Sequence, residues 1–257
     1  MIQKNLNPHI IGGKNNIKSF FIEISMDKII KAILFDLDGT LLDIDLKKFI
    51  PAYVQLLAEY TKEYVSSKKL IRKMLEAQTR LENNNGEQTN EAVFNEFFFP
   101  LDGVSREELE PIFMRFYREE FDKLKKFSTK KPEARPTVQK AFNKGYKVAI
   151  ATTPLLPEIA VQKRLEWGNV GDFNYDLITS YEHVSATKPN LKYYEEIAEI
   201  LDVHPEECLM VGDEAKDMVA ANLGCSTFLI RSQNTELSPK TPKSNHVGNL
   251  TDLQKLL

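Results

Sequence analysis

Residues 32–40 constrain the fold of this chain more than any other stretch of its sequence. Four apolar residues, 32–35, are typical of a strand that is buried on both faces, as in a parallel sheet. Asp36 and Asp38 follow at once, and side chains two apart in extended chain point the same way. Two carboxylates at the end of a buried strand repel each other and are costly to desolvate, so a bound Mg²⁺ would relieve both effects. Asp38-Gly39 also fits an ordinary turn after a strand.

Composition excludes several classes of protein. The chain has 257 residues, of which 42% are hydrophobic and 28% charged, so it can bury a sizeable core in one large or two smaller domains. Its formal net charge of −3 argues against a nucleic-acid-binding surface as its main function. No apolar run approaches the roughly 18 residues that a membrane span needs. Cys208 and Cys225 lie at the edges of apolar runs, which predicts buried thiols and a reducing cytoplasm.

The first 25 residues differ from the rest of the chain, being rich in Asn, Lys and Ile and lacking a clear period. Their apolar cluster at 20–22 is stopped by Glu23 and is too short for a signal-peptide core. We therefore expect residues 1–25 to be a poorly ordered extension, with the first domain beginning near Met26. An organellar leader is less favoured because the segment contains no arginine.

Residues 46–131, here called the helical segment, show no strand pattern. The spacing of Phe49, Tyr53 and Leu57 is helical, and Ser105 with Glu108 forms a capping-box pattern, so we predict a bundle of about four helices. One predicted helix carries several basic residues, and a solvated face is the favoured interpretation of them. They are Lys68, Lys69, Arg72, Lys73 and Arg80.

From Pro136 onward, helical and strand patterns alternate, which predicts a doubly wound parallel sheet with helices on both faces. We therefore predict an α/β core domain made of residues 26–45 and 132–257, with the helical segment inserted into it. The polar stretch 232–246 is expected to be a surface loop. The predicted helices are 137–144, 157–167, 191–201, 216–223 and 250–257, and the predicted strands are 146–151, 177–178, 208–211 and 227–230.

Polar residues stand at the ends of two later strands. Thr152 and Thr153 follow one strand, where a hydroxyl and backbone amides suit phosphoryl oxygens, although Thr152 alone also fits a helix cap. Asp213 follows another strand, and Asp217 lies one helical turn further on. The same sequence also fits an aspartate that caps a helix together with an aspartate on the surface. Lys188 precedes a helix and by itself resembles a solvated loop charge. Ligands of open parallel sheets bind at such strand ends.

The order of these residues resembles the four motifs of the haloacid dehalogenase-like superfamily, most of whose members are phosphatases. The first motif matches Asp36-Leu37-Asp38-Gly39-Thr40 and the fourth matches residues 212–217, within a resemblance that covers about 31–230. The helical segment is similar to the all-α cap of one subfamily. One departure is Thr153, where many relatives have Asn, which puts the phosphate contacts there in question.

The resemblance implies a chemistry for each matching residue. Asp36 would be the nucleophile that forms an aspartyl-phosphate, and Asp38 would be the general acid and base. Mg²⁺ would be held by Asp36, the backbone carbonyl of Asp38 and Asp213, with Asp217 behind them. In the same analogy, the phosphoryl group would be held by Thr152, Thr153 and Lys188.

Three alternatives stay open on this fold. A dehalogenase would also use Asp36 but needs neither Mg²⁺ nor the acidic group at Asp38. A sugar-phosphate mutase would share the core residues and differ in the cap. A receiver-like signalling module would be phosphorylated without turnover, although such modules are smaller and lack a helical insertion. The expected partner is a small phosphorylated metabolite rather than nucleic acid or a membrane, and the substrate and oligomeric state stay open.

Overall fold

The computed structural model describes residues 29–257, and the expected extension 1–25 lies outside this range, as do residues 26–28. Within the described range the strands are β1 (Ala32–Phe35), β2 (Leu42–Ile44), β3 (Ser128–Lys130), β4 (Lys147–Ile150), β5 (Leu177–Ile178), β6 (Cys208–Gly212), β7 (Ser226–Ile230) and β8 (His246–Gly248). Six of them form one parallel sheet in the order β5-β4-β1-β6-β7-β8. The other two, β2 and β3, form a separate antiparallel pair. The predicted α/β class is therefore confirmed.

Helices cover both faces of the sheet. They are α1 (Leu46–Tyr60), α2 (Ser67–Glu82), α3 (Asn90–Phe98), α4 (Arg106–Glu119), α5 (Ala134–Asn143), α6 (Glu158–Trp167), α7 (Leu191–Ile200), α8 (Ala215–Met218) and α9 (Leu250–Leu256). Residues from α5, α6 and α9 belong to one buried cluster, whereas α7 belongs to the other. The part of the chain that the structure describes contains no helix with the length and apolar character needed to span a membrane.

The central strand β1 is buried on both faces, as its four apolar residues predict. Ile33 and Phe35 belong to the cluster shared with the helical segment, whereas Ala32 and Leu34 belong to the opposite cluster. All four are fully buried because β1 pairs with β4 on one side and with β6 on the other. This alternation follows the two-residue period of a strand.

The helical segment contains α1 to α4, as expected in number, and α4 begins with the predicted capping box of Ser105 and Glu108. A short 3₁₀ helix, Phe121–Phe127, follows α4 and leads into β3. The expectation that residues 46–131 lack a strand was wrong, since β3 pairs with β2. Its residues Ser-Thr-Lys show no apolar pattern, so the local sequence does not indicate a strand, which forms here by pairing with β2.

Two other predictions near the C-terminus need correction. The stretch 232–246 was expected to be loop throughout, but His246 begins β8, which pairs with β7 at the sheet edge. The single helix expected over 216–223 is instead α8 followed by a 3₁₀ helix, Val219–Leu223, which ends at Gly224 with a φ of 86°. Burial of Cys208 and Cys225 was predicted correctly.

Candidate active site

Three neighbouring strands have their carboxyl ends on the same side of the sheet, and the polar residues that follow them lie close together. Asp36 follows β1, Thr152 lies two residues beyond β4, and Asp213 follows β6. Because β1 lies between β4 and β6, these residues meet where the connections of the sheet diverge to opposite sides. The same place in other open parallel sheets is where ligands bind.

Asp36 is 3% exposed and is held from two directions. Its backbone N–H donates to the Val211 carbonyl at 2.8 Å, and its Oδ1 accepts from Lys188 Nζ at 2.8 Å. Its other oxygen, Oδ2, is buried without a hydrogen-bond partner. Burial raises the pKa of Asp36 to about 7, with Asp217 and Asp38 adding to the rise and Lys188 opposing it.

Asp213 is fully buried and faces the turn after β1. Its Oδ2 accepts a hydrogen bond from the Ser232 hydroxyl, whereas Oδ1 is buried without a partner. Burial, followed by the charge of Asp36, raises the pKa of Asp213 to about 8. Gly39 makes this approach possible, because its φ is 93° and a Cβ there would overlap the Asp213 carboxylate.

Asp217 is also fully buried, so the expectation of a surface aspartate does not apply. Its Oδ2 accepts from the backbone N–H groups of Asp213 at 3.1 Å and Glu214 at 3.0 Å, which caps the start of α8. Its Oδ1 accepts from Lys188 Nζ at 2.5 Å. Asp217 therefore orients both the Asp213 backbone and the lysine that contacts Asp36.

Lys188 is buried, which rules out the solvated-loop interpretation. Its ammonium group lies between the carboxylates of Asp36 and Asp217. Burial opposes the charge, but the two carboxylates outweigh it and raise the pKa of Lys188 well above its usual value. The lysine therefore stays positively charged at the centre of the site.

The carboxylates can accommodate a cation. Asp36, Asp213 and Asp217 each offer an oxygen within 4.8 Å of the others. The unpartnered oxygens Asp36 Oδ2 and Asp213 Oδ1, both buried, are the kind of atom that a hard cation satisfies. Burial is the main cause of the raised pKa values of Asp36 and Asp213, and neighbouring carboxylates add to it, so a bound cation would favour the ionised forms. The donor set therefore fits Mg²⁺.

Asp38 does not join this carboxylate cluster. Its Oδ2 accepts a hydrogen bond from Arg164 Nη1, and its Oδ1 is buried without a partner. Arg164 lies on α6 with its side chain 4% exposed, and its Nε also donates to the Ala160 carbonyl at 3.2 Å. Asp38 is thus held by a cation from a helix far along the chain.

Thr152 and Thr153 both line the cavity that contains Asp36 and Lys188. Thr152 does not cap α6, because that helix begins at Glu158 with Pro157 in the cap position. Its carbonyl instead accepts from the hydroxyls of Thr179 and Tyr193, each at 2.8 Å. These bonds fix the backbone at the point where the chain leaves β4.

Three contributors to the site were missed by sequence reasoning: Arg164, Ser232 and Lys131. Arg164 follows Ala160 and Val161 on a buried helix face, and an arginine at that spacing among apolar residues is a signal for a buried ion pair. Ser232 contacts Asp213 from the stretch predicted to be a surface loop. Lys131 donates to the Gly39 carbonyl in the turn after β1.

An open parallel sheet with a buried acidic, cation-competent centre at its strand ends defines a class of α/β enzymes. The family model for haloacid dehalogenase-like hydrolases matches residues 30–223, and the chain belongs to this family.

Relatives agree with this assignment. The chain is 26% identical over 203 residues to the pyrophosphatase PpaX of Bacillus mycoides strain KBAB4, covering 78% of this chain and 83% of the relative. The fold is similar to that of the HAD phosphatase from Thermococcus onnurineus, with a TM-score of 0.54, 22% identity and coverage of 88% and 97% of the two chains. It is equally similar to L-2-haloacid dehalogenase from Xanthobacter autotrophicus, with a TM-score of 0.54, 19% identity and coverage of 89% and 98%.

Proposed function

We propose that the protein is a Mg²⁺-dependent phosphatase that hydrolyses a small phosphorylated metabolite through an aspartyl-phosphate on Asp36. The observation that carries this proposal is the buried group of Asp36, Asp213 and Asp217, whose oxygens lie within 4.8 Å of one another, with Lys188 in contact with two of them. Phosphoryl transfer needs an in-line nucleophile and neutralisation of charge, and this group offers both.

In the first step, an oxygen of Asp36 attacks phosphorus while the bond from phosphorus to the leaving oxygen breaks. Asp38 gives its proton to that oxygen, so the leaving group departs as a neutral alcohol. In the second step, Asp38 takes a proton from water, the water oxygen attacks phosphorus, and the bond to Asp36 breaks to release inorganic phosphate.

The surrounding residues position these groups. Asp36, Asp213 and the Asp38 carbonyl would hold Mg²⁺, which would keep both carboxylates ionised and neutralise the phosphoryl charge. Lys188 and the hydroxyls of Thr152 and Thr153 would hold phosphoryl oxygens. We further propose that residues 46–131 act as a cap that closes over the predicted α/β core domain, residues 26–45 and 132–257, and excludes water.

Release of inorganic phosphate from phenyl phosphate, with Mg²⁺ and then with EDTA, tests this function. We expect turnover with Mg²⁺, loss of turnover in EDTA, and a loss of at least about 10³-fold in Asp36→Asn, since removing a nucleophile leaves only binding effects. Glu236→Gln is the matched control, because Glu236 is an exposed carboxylate paired only with Lys47. Near-normal turnover by Asp36→Asn would dispose of the proposal.

Three further measurements, of sugar-phosphate isomerisation, phosphoenzyme lifetime and halide release, separate the alternatives. A sugar-phosphate mutase would convert a hexose phosphate to its isomer with little free phosphate, and a receiver-like module would hold its phosphoryl group without sustained turnover. A dehalogenase would release halide from 2-chloropropionate in EDTA. We also retain a cytoplasmic location, and the absence of nucleic-acid and membrane partners, as predictions.

A further inference from the structure

A cavity of about 390 Å³ runs from the carboxylates into the helical segment. Asp36, Thr152 and Lys188 lie at one end, and side chains of α1 to α4 form the other. Its volume lies within the roughly 300–1,000 Å³ typical of small-molecule sites. The cavity is therefore large enough to hold a leaving group beyond the phosphoryl position.

The end formed by the helical segment is mainly apolar. Four different helices supply aliphatic and aromatic side chains to it, so the apolar surface surrounds the space rather than forming one wall. Representative lining residues are Phe49, Leu57, Met74, Phe98, Phe113 and Met114. Such a lining gains free energy from contact with an apolar group and supplies few of the hydrogen bonds that a sugar requires.

The polar side chains at this end already have partners within the protein. Each of these side chains therefore satisfies part of its hydrogen-bonding capacity without a ligand. The pairs are Tyr53 with Tyr117 at 2.7 Å, Gln78 with Glu82 at 2.8 Å, Glu110 with Arg106 at 2.9 Å, and Asn95 with Glu91 at 3.4 Å.

Cations are confined to the catalytic end. Among the described residues of the helical segment that line the cavity, none is lysine or arginine, whereas Glu82 and Glu110 are acidic. Two basic residues of α2, Lys73 and Arg80, lie over the Phe97 ring, at 3.8 Å and 4.2 Å from its centroid.

The cations at the catalytic end are already paired. Lys188 contacts Asp36 and Asp217, Arg164 contacts Asp38, and Lys216 lies 2.6 Å from Glu214. A second anionic group in the cavity would lose its hydration and meet no unpaired cation among the described residues that line the cavity, which is costly.

We propose that the substrate is a phosphate monoester with an apolar alkyl or aryl leaving group that fills the helical end of this cavity. The inference rests on the proposed phosphatase function and assigns its substrate class. It also predicts that pyrophosphate is a poor substrate, although the relatives from Bacillus are named pyrophosphatases.

A series of n-alkyl phosphates tests this assignment, because the leaving-group acidity is nearly constant while the apolar length changes. We would measure kcat/KM for butyl, hexyl and octyl phosphate with Mg²⁺, below micelle-forming concentrations, and compare phosphoglycolate and pyrophosphate. Each buried methylene is worth up to about fourfold, so we expect at least a tenfold rise from butyl to octyl phosphate. Phosphoglycolate and pyrophosphate should fall below octyl phosphate by a similar or larger factor.

Exposed positions at the cavity provide variants that are expected to fold. Leu75 lines the cavity and is 60% exposed, whereas Ile200 on α7 is 47% exposed and lies outside it. Leu75→Lys should lower kcat/KM for octyl phosphate about tenfold and flatten the chain-length dependence, because a charge beside the apolar chain must be desolvated. Ile200→Lys should change neither, which controls for adding a lysine at an exposed apolar site.

The outcomes separate the two proposals. Efficient turnover of phosphoglycolate or pyrophosphate, without a rise along the alkyl series, would overturn the substrate class and leave the phosphatase function standing. If no ester released phosphate in the presence of Mg²⁺, both proposals would be overturned. The assignment is supported if kcat/KM rises with alkyl chain length, if Leu75→Lys flattens that rise, and if Ile200→Lys leaves it unchanged.

Discussion

Arg164 holds Asp38 in a partly buried ion pair, although the two residues lie 126 positions apart in the chain. Asp38 is the proposed acid and base, so its orientation toward the leaving oxygen decides the rate when that oxygen is strongly basic. The guanidinium of Arg164, fixed by a second hydrogen bond to Ala160, restricts the Asp38 carboxylate. Arg164 is thus a positioning residue in this account.

We expect Arg164→Ala to lower kcat for hexyl phosphate about 10²-fold, since misplacing a catalytic group has effects of that size. The loss should be much smaller for p-nitrophenyl phosphate, whose leaving oxygen needs little protonation. Steady-state kinetics with both esters would measure the difference. Arg135→Ala, which removes a surface arginine paired with Asp172, is the control. Equal losses on the two esters would point to a structural role for Arg164.

Gly39 supplies a second prediction at this scale. Gly39→Ala should abolish Mg²⁺-dependent turnover and weaken Mg²⁺ binding, because its Cβ would overlap the Asp213 carboxylate. Gly145→Ala is a matched control, since Gly145 has a φ of 81° but nothing within 4 Å of an added Cβ. Both variants pay about 1–2 kcal/mol for a left-handed backbone, and only Gly39→Ala should lose metal in a calorimetric titration. Retained Mg²⁺ affinity in Gly39→Ala would refute this account of the turn.

The aspartates that sequence analysis placed at strand ends share a local signal, and the residues it missed do not. Asp36, Asp38 and Asp213 each follow an apolar run that is readable as a strand. Ser232 and Arg164 reach the site only through the folding of distant segments. Local pattern therefore predicts which residues end strands, but the residues that orient them depend on tertiary packing.

At the scale of elements, strands with a continuous apolar pattern were likewise predicted better than strands without one. The strands β1 and β6 were predicted closely because a strand buried on both faces is apolar along its whole length. The short strands β3 and β8 were missed because each is exposed or half-buried and carries no apolar pattern. Their existence depends on a partner strand at an edge.

Trp167, the chain's single tryptophan, lies where α6 meets the helical segment. Its indole Nε1 donates to Asp122 at 2.8 Å, and its ring stacks on Phe121 at 5.4 Å between centroids. If residues 46–131 close as a cap, we expect these contacts to change. The tryptophan therefore reports on the position of the helical segment.

We predict that octyl phosphate with Mg²⁺ shifts the Trp167 emission of the Asp36→Asn variant, with half-saturation at the ligand's dissociation constant. Fluorescence titration measures this shift, and inorganic phosphate, which lacks the apolar chain, is the control ligand. An unchanged spectrum while calorimetry shows that octyl phosphate binds would contradict closure of the helical segment.

For the molecule as a whole, the buried carboxylates link stability to pH and metal. Asp36 and Asp213 have pKa values of about 7 and 8, above the usual 3.8, so without a cation the folded state binds protons more tightly than the unfolded chain. The free energy of unfolding should then fall as pH rises from about 4, near the usual carboxyl pKa, to about 8. A bound Mg²⁺ favours the ionised carboxylates and should oppose this fall.

Thermal unfolding at pH 6 and pH 8, each with EDTA or Mg²⁺, would test the linkage. At one Mg²⁺ concentration used at both pH values, about 100 times the dissociation constant at pH 8, the stabilisation at pH 8 should be about 2.7 kcal/mol, or roughly 5–10 °C in Tm. The shift should be larger at pH 8 than at pH 6. Asp213→Asn should remove most of it, and a Mg²⁺ effect equal in that variant and the unchanged protein would place the cation elsewhere.

The central claim is that one cation lies between Asp36 and Asp213 while Asp36 carries the phosphoryl group. A crystal structure with Mg²⁺ and beryllium fluoride, a mimic of an aspartyl-phosphate, tests it most directly. The account predicts beryllium fluoride on Asp36 and a single Mg²⁺ about 2.0–2.1 Å from a carboxylate oxygen of each aspartate. A cation that contacts only one of the two, or beryllium fluoride on another residue, would contradict it.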